Sequence, residues 1–184
     1  MTVISDTSPL IWLAKAGKIT LLKDLFVEVI IPQEVYIEAV ETGLQSGFTD
    51  AQTIKECINE GWIKLSKLNI KAQSILQKIS EHSFEIHSGE AQAIVLAREM
   101  KLLLLMDESA GRAFAQAWGL KVKGTIYVII SALRKGLISE TEAKETVLTM
   151  VTKGFRLEPT LLARLIIEIE KYQLKKYKPA TNPA

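Results

Sequence analysis

The sequence predicts a three-layer α/β/α fold with a mostly parallel central sheet of about five strands. Short apolar runs typical of buried strands alternate with longer segments of helical periodicity. The run from Leu102 to Met106 is entirely apolar, as expected of a central parallel strand covered on both faces. Acidic residues directly follow two of the predicted strands, at Asp6 and Asp107. This alternation, with right-handed crossovers, favours a parallel sheet between two helical layers.

Length and composition describe a single domain with one sizeable core. The chain has 184 residues, of which 48% are hydrophobic and 24% charged, and its net charge is +2. Any nucleic-acid binding would therefore depend on a local basic patch. The single Cys57 excludes an intrachain disulfide and a multi-cysteine metal cluster. We find no secretion signal and no apolar run of about 20 residues, so we expect a cytoplasmic protein without a membrane segment.

The first half of the chain is expected to alternate between strands and helices. The first strand delivers Asp6 to a strand-to-helix turn, and the second ends at Pro32, which fits the first position of a helix. A loop is expected over 43–47, followed by a helix that opens with a capping box at 49–52. The predicted strands are 3–5, 28–32 and 62–65, and the predicted helices are 9–16, 19–26, one after 32, one after 49, and 72–80.

The second half continues the alternation and then becomes helical. Gly119, Gly136 and Gly154 are helix stops, and a capping box at 139–142 opens a later helix. We predict a domain over 1–138, a C-terminal helical extension over 139–178 packed on it, and a disordered tail over 179–184. The predicted helices are 88–100, 109–118, 125–134, 139–153 and 159–176, and the predicted strands are 102–106 and 121–123.

Four acidic residues are candidates for one shared site. Asp6 and Asp107 follow strands directly, and Glu38 and Glu90 lie on helices beside those strands. Residues that follow different parallel strands converge at one edge of the sheet. Crowded carboxylates raise one another's pKa values unless a cation is bound, and Mg²⁺ or Mn²⁺ prefers such oxygen ligands. Such a site can orient a water and stabilise the attacking and leaving oxygens of a phosphodiester.

Five segments in this order resemble the PIN-domain superfamily, in particular its compact prokaryotic branch related to VapC-type toxins. The resemblance covers residues 3–138 and implies a Mg²⁺- or Mn²⁺-dependent endoribonuclease, a hydrolase of RNA phosphodiester bonds. It also implies a toxin held by a small antitoxin protein, and a homodimer. The segments are Ser5–Leu10, Pro32–Glu38, Gly89–Ala93, Met106–Glu108 and Gly124–Thr125.

The resemblance also implies roles for the acids. Asp6, Glu38, Glu90 and Asp107 would be catalytic; the two aspartates and Glu90 would hold the metal, and Glu38 would complete the site or orient the attacking water. Many active members have an aspartate where this chain has Glu90, and a second aspartate shortly after the position of Asp107. Here Glu108 is the adjacent acid.

Each acid also has a simpler structural interpretation. Asp6 and Asp107 could cap the helices that follow them, Glu38 could lie on an exposed helix face, and the helix dipole is sufficient to explain Glu90. A second functional hypothesis is therefore a catalytically degenerate PIN-like scaffold that binds RNA or a protein partner. It differs from the first in predicting no stabilisation by Mn²⁺.

Several polar neighbours are secondary candidates. Thr7, Ser8 and Thr125 could contact metal-bound water or a substrate phosphate, although turn and capping roles are favoured for all three. Glu108 is interpreted as a partner of a helix dipole. Arg112 could bind a phosphate or pair with an acid, with a solvated helix arginine as the default.

Two other residue types are given no role in the site. His87 is too far from the motifs to support a zinc site, and Trp12 is interpreted as a core or interface residue. No Walker A or dinucleotide-binding glycine motif is present, so ATP and dinucleotide binding are not expected.

Overall fold

A computed structural model describes residues 1–82 and 86–176 of the chain. It contains a five-stranded sheet in the order β3-β2-β1-β4-β5, and all four strand pairings are parallel. The predicted fold class is therefore confirmed. The strands are β1 (Thr2–Ser5), β2 (Glu28–Pro32), β3 (Ile63–Ser66), β4 (Leu103–Leu105) and β5 (Val122–Lys123).

The helices connect these strands and cover both faces of the sheet. A π-helical segment, Ile37–Thr42, lies between two α-helices in the crossover from β2 to β3. The α-helices are α1 (Thr7–Lys15), α2 (Thr20–Leu25), α3 (Gln33–Tyr36), α4 (Gly43–Gln45), α5 (Thr49–Asn59), α6 (Ile70–His82), α7 (Ser88–Met100), α8 (Ser109–Ala117), α9 (Thr125–Arg134), α10 (Glu140–Thr152) and α11 (Pro159–Lys176).

Alternate strand residues supply the two hydrophobic layers. Val3 and Leu105 face a cluster built mainly from α1, α2, α5, α9, α10 and α11. Ile4 and Leu104 face the opposite cluster, built mainly from α7 and α8. All four side chains are fully buried, and each contributes roughly 1.5–3 kcal/mol by leaving water. The period of two along each strand thus produces the three-layer architecture.

The central strand β1 fixes the position of the candidate site. It pairs with β2 on one side and with β4 on the other, so the direction of winding reverses between β1 and β4. Ligands of open α/β sheets bind at this reversal, beyond the carboxyl ends of the strands. Asp6 follows β1, and Asp107 lies two residues after β4.

The C-terminal helices contribute to the same core as the sheet. Val147 and Met150 of α10 and Leu165 and Ile169 of α11 are buried in the cluster that contains Val3. The expected tail over 179–184 lies outside the described residues. None of the described helices is both long and apolar enough to cross a membrane.

Two local predictions are wrong. The expected loop over 43–47 is largely helical, because α4 continues directly from the π-helical segment. A methyl group on Gly43 would lie 2.6 Å from Cβ of Ala51, so the glycine lets this turn pack closely on α5. The capping box at 49–52 is also absent: Phe48 occupies the N-cap of α5 without a side-chain hydrogen bond, and the helix already includes Thr49. The capping box of Ser139 with Glu142 is confirmed.

Candidate active site

A cleft of about 650 Å³ opens at the carboxyl edge of the sheet. Three of the four predicted acids line it: Asp6 from the end of β1, Glu38 from the π-helical segment, and Glu90 from the first turn of α7. Asp107 lies beside them and lines an adjoining, second cleft, while Glu108 borders both. The sequence therefore predicted correctly that these acids gather at one edge.

Asp6 is the most deeply buried of these acids, with 3% of its surface exposed. It occupies the N-cap position of α1, yet its side chain makes no capping hydrogen bond there, so the capping interpretation does not account for it. Burial raises the pKa of Asp6 to about 8. The backbone N–H of Thr7 opposes this rise, and the charges of Glu90, Glu38 and Asp107 add to it.

Glu38 is held by contacts from two other elements. The hydroxyl of Thr7 donates a hydrogen bond of 2.6 Å to Oε2 of Glu38. On the other side, a methyl group on Gly89 would lie 2.6 Å from the same oxygen. Glu38 is thus fitted between α1 and the start of α7 and is not an exposed helix face. Its position in a π-helical segment is typical of functional sites, and the sequence did not predict it.

Glu90 is buried at the third position of α7, with 6% of its surface exposed. Its Oε2 accepts a hydrogen bond of 3.3 Å from the backbone N–H of His87. Burial raises the pKa of Glu90, and the charges of Glu108 and Glu38 add to this, while the His87 N–H and the His87 side chain oppose it. Glu90 therefore helps to cap the start of α7 and also lines the acidic cleft.

Asp107 anchors the start of α9. Its Oδ1 accepts from the backbone N–H of Thr125 at 2.8 Å, and its Oδ2 accepts from the hydroxyls of Thr125 at 2.6 Å and Ser8 at 3.1 Å. The N-cap position of α8 belongs instead to Glu108. The expectation that Asp107 could cap the helix from Ser109 is therefore wrong.

The hydroxyl groups of the site hold carboxylates. Thr7 binds Glu38, while Ser8 and Thr125 bind Asp107, so the simple turn and capping roles favoured from the sequence do not describe them. A carboxylate that accepts such hydrogen bonds is fixed in orientation. This arrangement joins residues that are far apart in sequence, which is why periodicity could not predict it.

The remaining candidates border the site. Arg112 is half-buried and donates a hydrogen bond of 2.9 Å to the carbonyl oxygen of Met106, so it is not a freely solvated helix arginine. Glu108 is exposed at the mouth of both clefts. His87 and Trp12 also line the acidic cleft, and the sequence assigned neither to it. The one available signal for His87 was its place just before the Ser88-Gly89-Glu90 segment.

The donor chemistry of the cleft fits a hard divalent cation. Among the described residues, no group of three or more His, Cys, Asp or Glu side chains forms a ready set of metal ligands. Mg²⁺ usually retains several waters and takes only one or two carboxylates, so a closed protein cage is not required. The buried carboxyl group of Asp6, surrounded by other acids, would gain most from such a cation.

Comparison with known families agrees with the architecture. A family model described as a PIN domain matches residues 2–171, which is most of the chain and includes all of α10 and the greater part of α11. A search of curated proteins found no match.

Proposed function

The chain belongs to the PIN-domain superfamily, and from this premise we propose that it is a Mg²⁺- or Mn²⁺-dependent endoribonuclease. The observation that carries the proposal is Asp6, a buried carboxyl group at the winding reversal of the sheet with three other acids around it. A bare cluster of this kind is electrostatically costly, and a bound divalent cation would remove the cost. Membership of the superfamily gives the chain a nuclease-like fold.

Each acid has a proposed role that follows from its position. Asp6 and Glu90 would bind the cation from the buried side of the cleft, and Asp107 would complete the site with an orientation fixed by Thr125. When bound, the cation would polarise the phosphodiester and lower the pKa of a coordinated water. Glu38, oriented by Thr7, would accept a proton from the attacking water. The leaving 3′-oxygen would take up a proton from solvent, so the reaction is a net hydrolysis.

The biological setting is proposed from the same family relationship. We propose a cytoplasmic toxin of a toxin-antitoxin pair that acts as a homodimer and is held inactive by a small antitoxin protein. These proposals concern the location, the biological role and the partners of the protein, and they are independent of the chemistry proposed at Asp6.

The direct test is cleavage of a single-stranded RNA by the purified protein with Mn²⁺. We expect Asp6→Asn to lower kcat by roughly 100-fold or more, the scale expected for loss of one preorganised electrostatic group. Asp24→Asn is a matched control, because Asp24 is exposed on α2 and outside both clefts. Cleavage that persists in a chelator, or equal activity of Asp6→Asn and Asp24→Asn, would contradict the proposal.

A degenerate scaffold that binds RNA or a protein without cleaving is the second candidate. The observation that favours it is that Asp107 is already occupied by hydrogen bonds to the start of α9. Thermal unfolding with and without Mn²⁺ separates the two, because a ligand that binds the folded state raises its stability. An unchanged unfolding temperature, together with a protein that copurifies stably, would favour the scaffold.

A further inference from the structure

A second cleft of about 1190 Å³ adjoins the acidic cleft. It lies between the start of α8, helix α9 and helix α11, and Trp12 and Glu108 line both clefts. Asp107 lies at its end nearest the acidic site. The two clefts therefore form neighbouring parts of one surface depression.

The second cleft carries basic side chains that the fold does not use in ion pairs. Within the described part of the chain, Arg112, Lys123, Arg156 and Arg164 line it and none has a carboxylate within salt-bridge distance. The fifth cation there, Arg134, pairs with Glu168 at 3.5 Å. A local basic patch of this kind is what a chain of small net charge needs in order to bind nucleic acid.

The acids of the second cleft have other partners. Glu168 is the partner of Arg134, and Glu158 accepts hydrogen bonds from Thr160 at the start of α11. Asp107 and Glu108 lie at the end nearest the proposed metal site. Along the rest of the cleft, the charge that is not already paired is therefore positive.

Aromatic rings accompany the cations. Trp12 is half-buried, packs edge-on against Phe155 with ring centroids 5.4 Å apart, and borders both clefts. In the acidic cleft, Nζ of Lys15 lies 5.0 Å from the centroid of Trp12. In the second cleft, Nζ of Lys123 lies 5.3 Å from the centroid of Tyr127, whose surface is 36% exposed.

We propose that the two clefts form one track for single-stranded RNA that crosses the acidic site at Trp12. Lys15 contacts the backbone on one side, and Arg112, Lys123 and Arg156 contact phosphates on the other. Trp12 stacks on a base at the junction. This proposal rests on the proposed function and adds to it the path that the RNA takes across the surface and the side chains that hold it.

The chemistry favours a single strand over a duplex. Cations interleaved with accessible rings are typical of surfaces that follow a flexible backbone and stack unpaired bases. A duplex keeps its bases stacked on each other, so Trp12 and Tyr127 would have no base faces to contact.

The test measures RNA binding in a chelator, so that binding is separated from cleavage. A fluorescently labelled single-stranded RNA of mixed sequence is titrated with protein at several salt concentrations. For Lys123→Gln/Arg156→Gln, we expect the slope of log affinity against log salt to become shallower by about 1.4, since each phosphate contact to a single strand contributes roughly 0.7. The charge-matched control is Lys55→Gln/Lys121→Gln, because both of these lysines are exposed and line neither cleft.

A second pair of variants tests the stacking role of Trp12. We expect Trp12→Leu to weaken binding by roughly 5- to 150-fold, the range for loss of one aromatic-base stack. Trp12→Phe, which keeps a ring, should retain most of the affinity. Thermal unfolding of both variants identifies any loss that is due to the packing of Trp12 on Phe155.

The outcomes separate the track from the proposed chemistry. An unchanged salt slope, an equal effect of the control pair, or equal binding of a duplex would overturn the track, even if Mn²⁺-dependent cleavage is observed. A track that binds as expected in a protein that never cleaves would support the track and overturn the ribonuclease.

Discussion

At the scale of single residues, two separate effects disfavour the ionised form of Asp6. Its carboxyl group is buried, and three other acids raise its pKa further. Among the described residues, the one lysine or arginine that lines the same cleft is Lys15, and its ammonium lies over the rings of Trp12 and Phe48. Without a bound cation, the folded protein therefore keeps the proton of Asp6 to an unusually high pH.

The pKa of Asp6 predicts how stability depends on pH in a chelator. The unfolded chain releases this proton near the ordinary value of 3.8, and the folded chain releases it near 8. Between these values the folded state binds more protons, so the contribution of Asp6 to the free energy of unfolding falls as pH rises and is constant above about 8. Asp6→Asn cannot ionise, and we expect it to unfold at higher urea concentration than the wild type at pH 8.

The comparison is made by urea unfolding of both proteins at several pH values. Asp24→Asn again serves as the control, because Asp24 is exposed and should leave the profile unchanged. Parallel profiles for wild type and Asp6→Asn would show that Asp6 does not titrate in this window.

The sequence predicted which acids meet, but not how each is held. Asp6 and Asp107 were identifiable because they follow strands, and the ends of adjacent parallel strands must lie together. The hydrogen bonds of Thr125 and Ser8 to Asp107 depend on the packing of α9 and α1 around β4. Such contacts between distant segments have no periodic signature in a single sequence.

At the scale of elements, a glycine at or near the start of each of three helices allows the backbone to pack closely against the acids of the site. Methyl groups added to Gly89 at the start of α7 and Gly124 before α9 would each lie 2.6 Å from a carboxylate oxygen, of Glu38 and Asp107 respectively. A methyl group on Gly111 in α8 would lie 2.7 Å from Sδ of Met106 and 3.3 Å from Oε2 of Glu90. These glycines let the backbone pack directly on the acids, and this close packing adds to the hydrogen bonds that orient Glu38 and Asp107.

Gly89→Ala is predicted to displace Glu38 while preserving the fold. Alanine is intrinsically favoured over glycine in a helix by about 1 kcal/mol, which offsets the loss of the hydrogen bond from Thr7 when the carboxylate of Glu38 turns away from the added methyl group. We therefore expect the free energy of unfolding to change little. The Mn²⁺-dependent rate should fall by roughly 10- to 100-fold, the usual effect of losing support around a metal site. Single-turnover cleavage and urea unfolding measure the two effects.

A double-mutant cycle with Glu38→Asp tests the proposed cause. The shorter side chain withdraws from the added methyl group, so the two substitutions should be less than additive in their effect on rate. Strict additivity would mean that Gly89→Ala acts by another route.

The π-helical segment could not be predicted from the sequence pattern. It carries Glu38 and continues into α4, where a loop was expected because of the two glycines at 43 and 47. Gly43 is there for close packing on Ala51, and only Gly47 has the positive φ of a turn glycine. From the sequence alone, a glycine needed for close packing cannot be distinguished from a glycine needed for a positive φ.

At the scale of the whole molecule, both C-terminal helices join the core, and α11 also forms one wall of the second cleft. Leu165 of α11 contributes to both, since it is buried in the main cluster and lines the cleft. The PIN-domain match extends through this region to residue 171. The basic track and the hydrophobic core therefore depend on the same docking of α11.

Two isoleucines of α11 provide a matched test of that docking. Ile169 is fully buried in the main cluster, whereas 48% of the surface of Ile167 is exposed. Ile169→Ala should lower the free energy of unfolding by about 2–5 kcal/mol, because it removes buried methyl groups and leaves a cavity. Ile167→Ala should change it by less than about 0.5 kcal/mol. Urea unfolding of the full chain measures both, and equal effects of the two variants would show that α11 is not docked on the core.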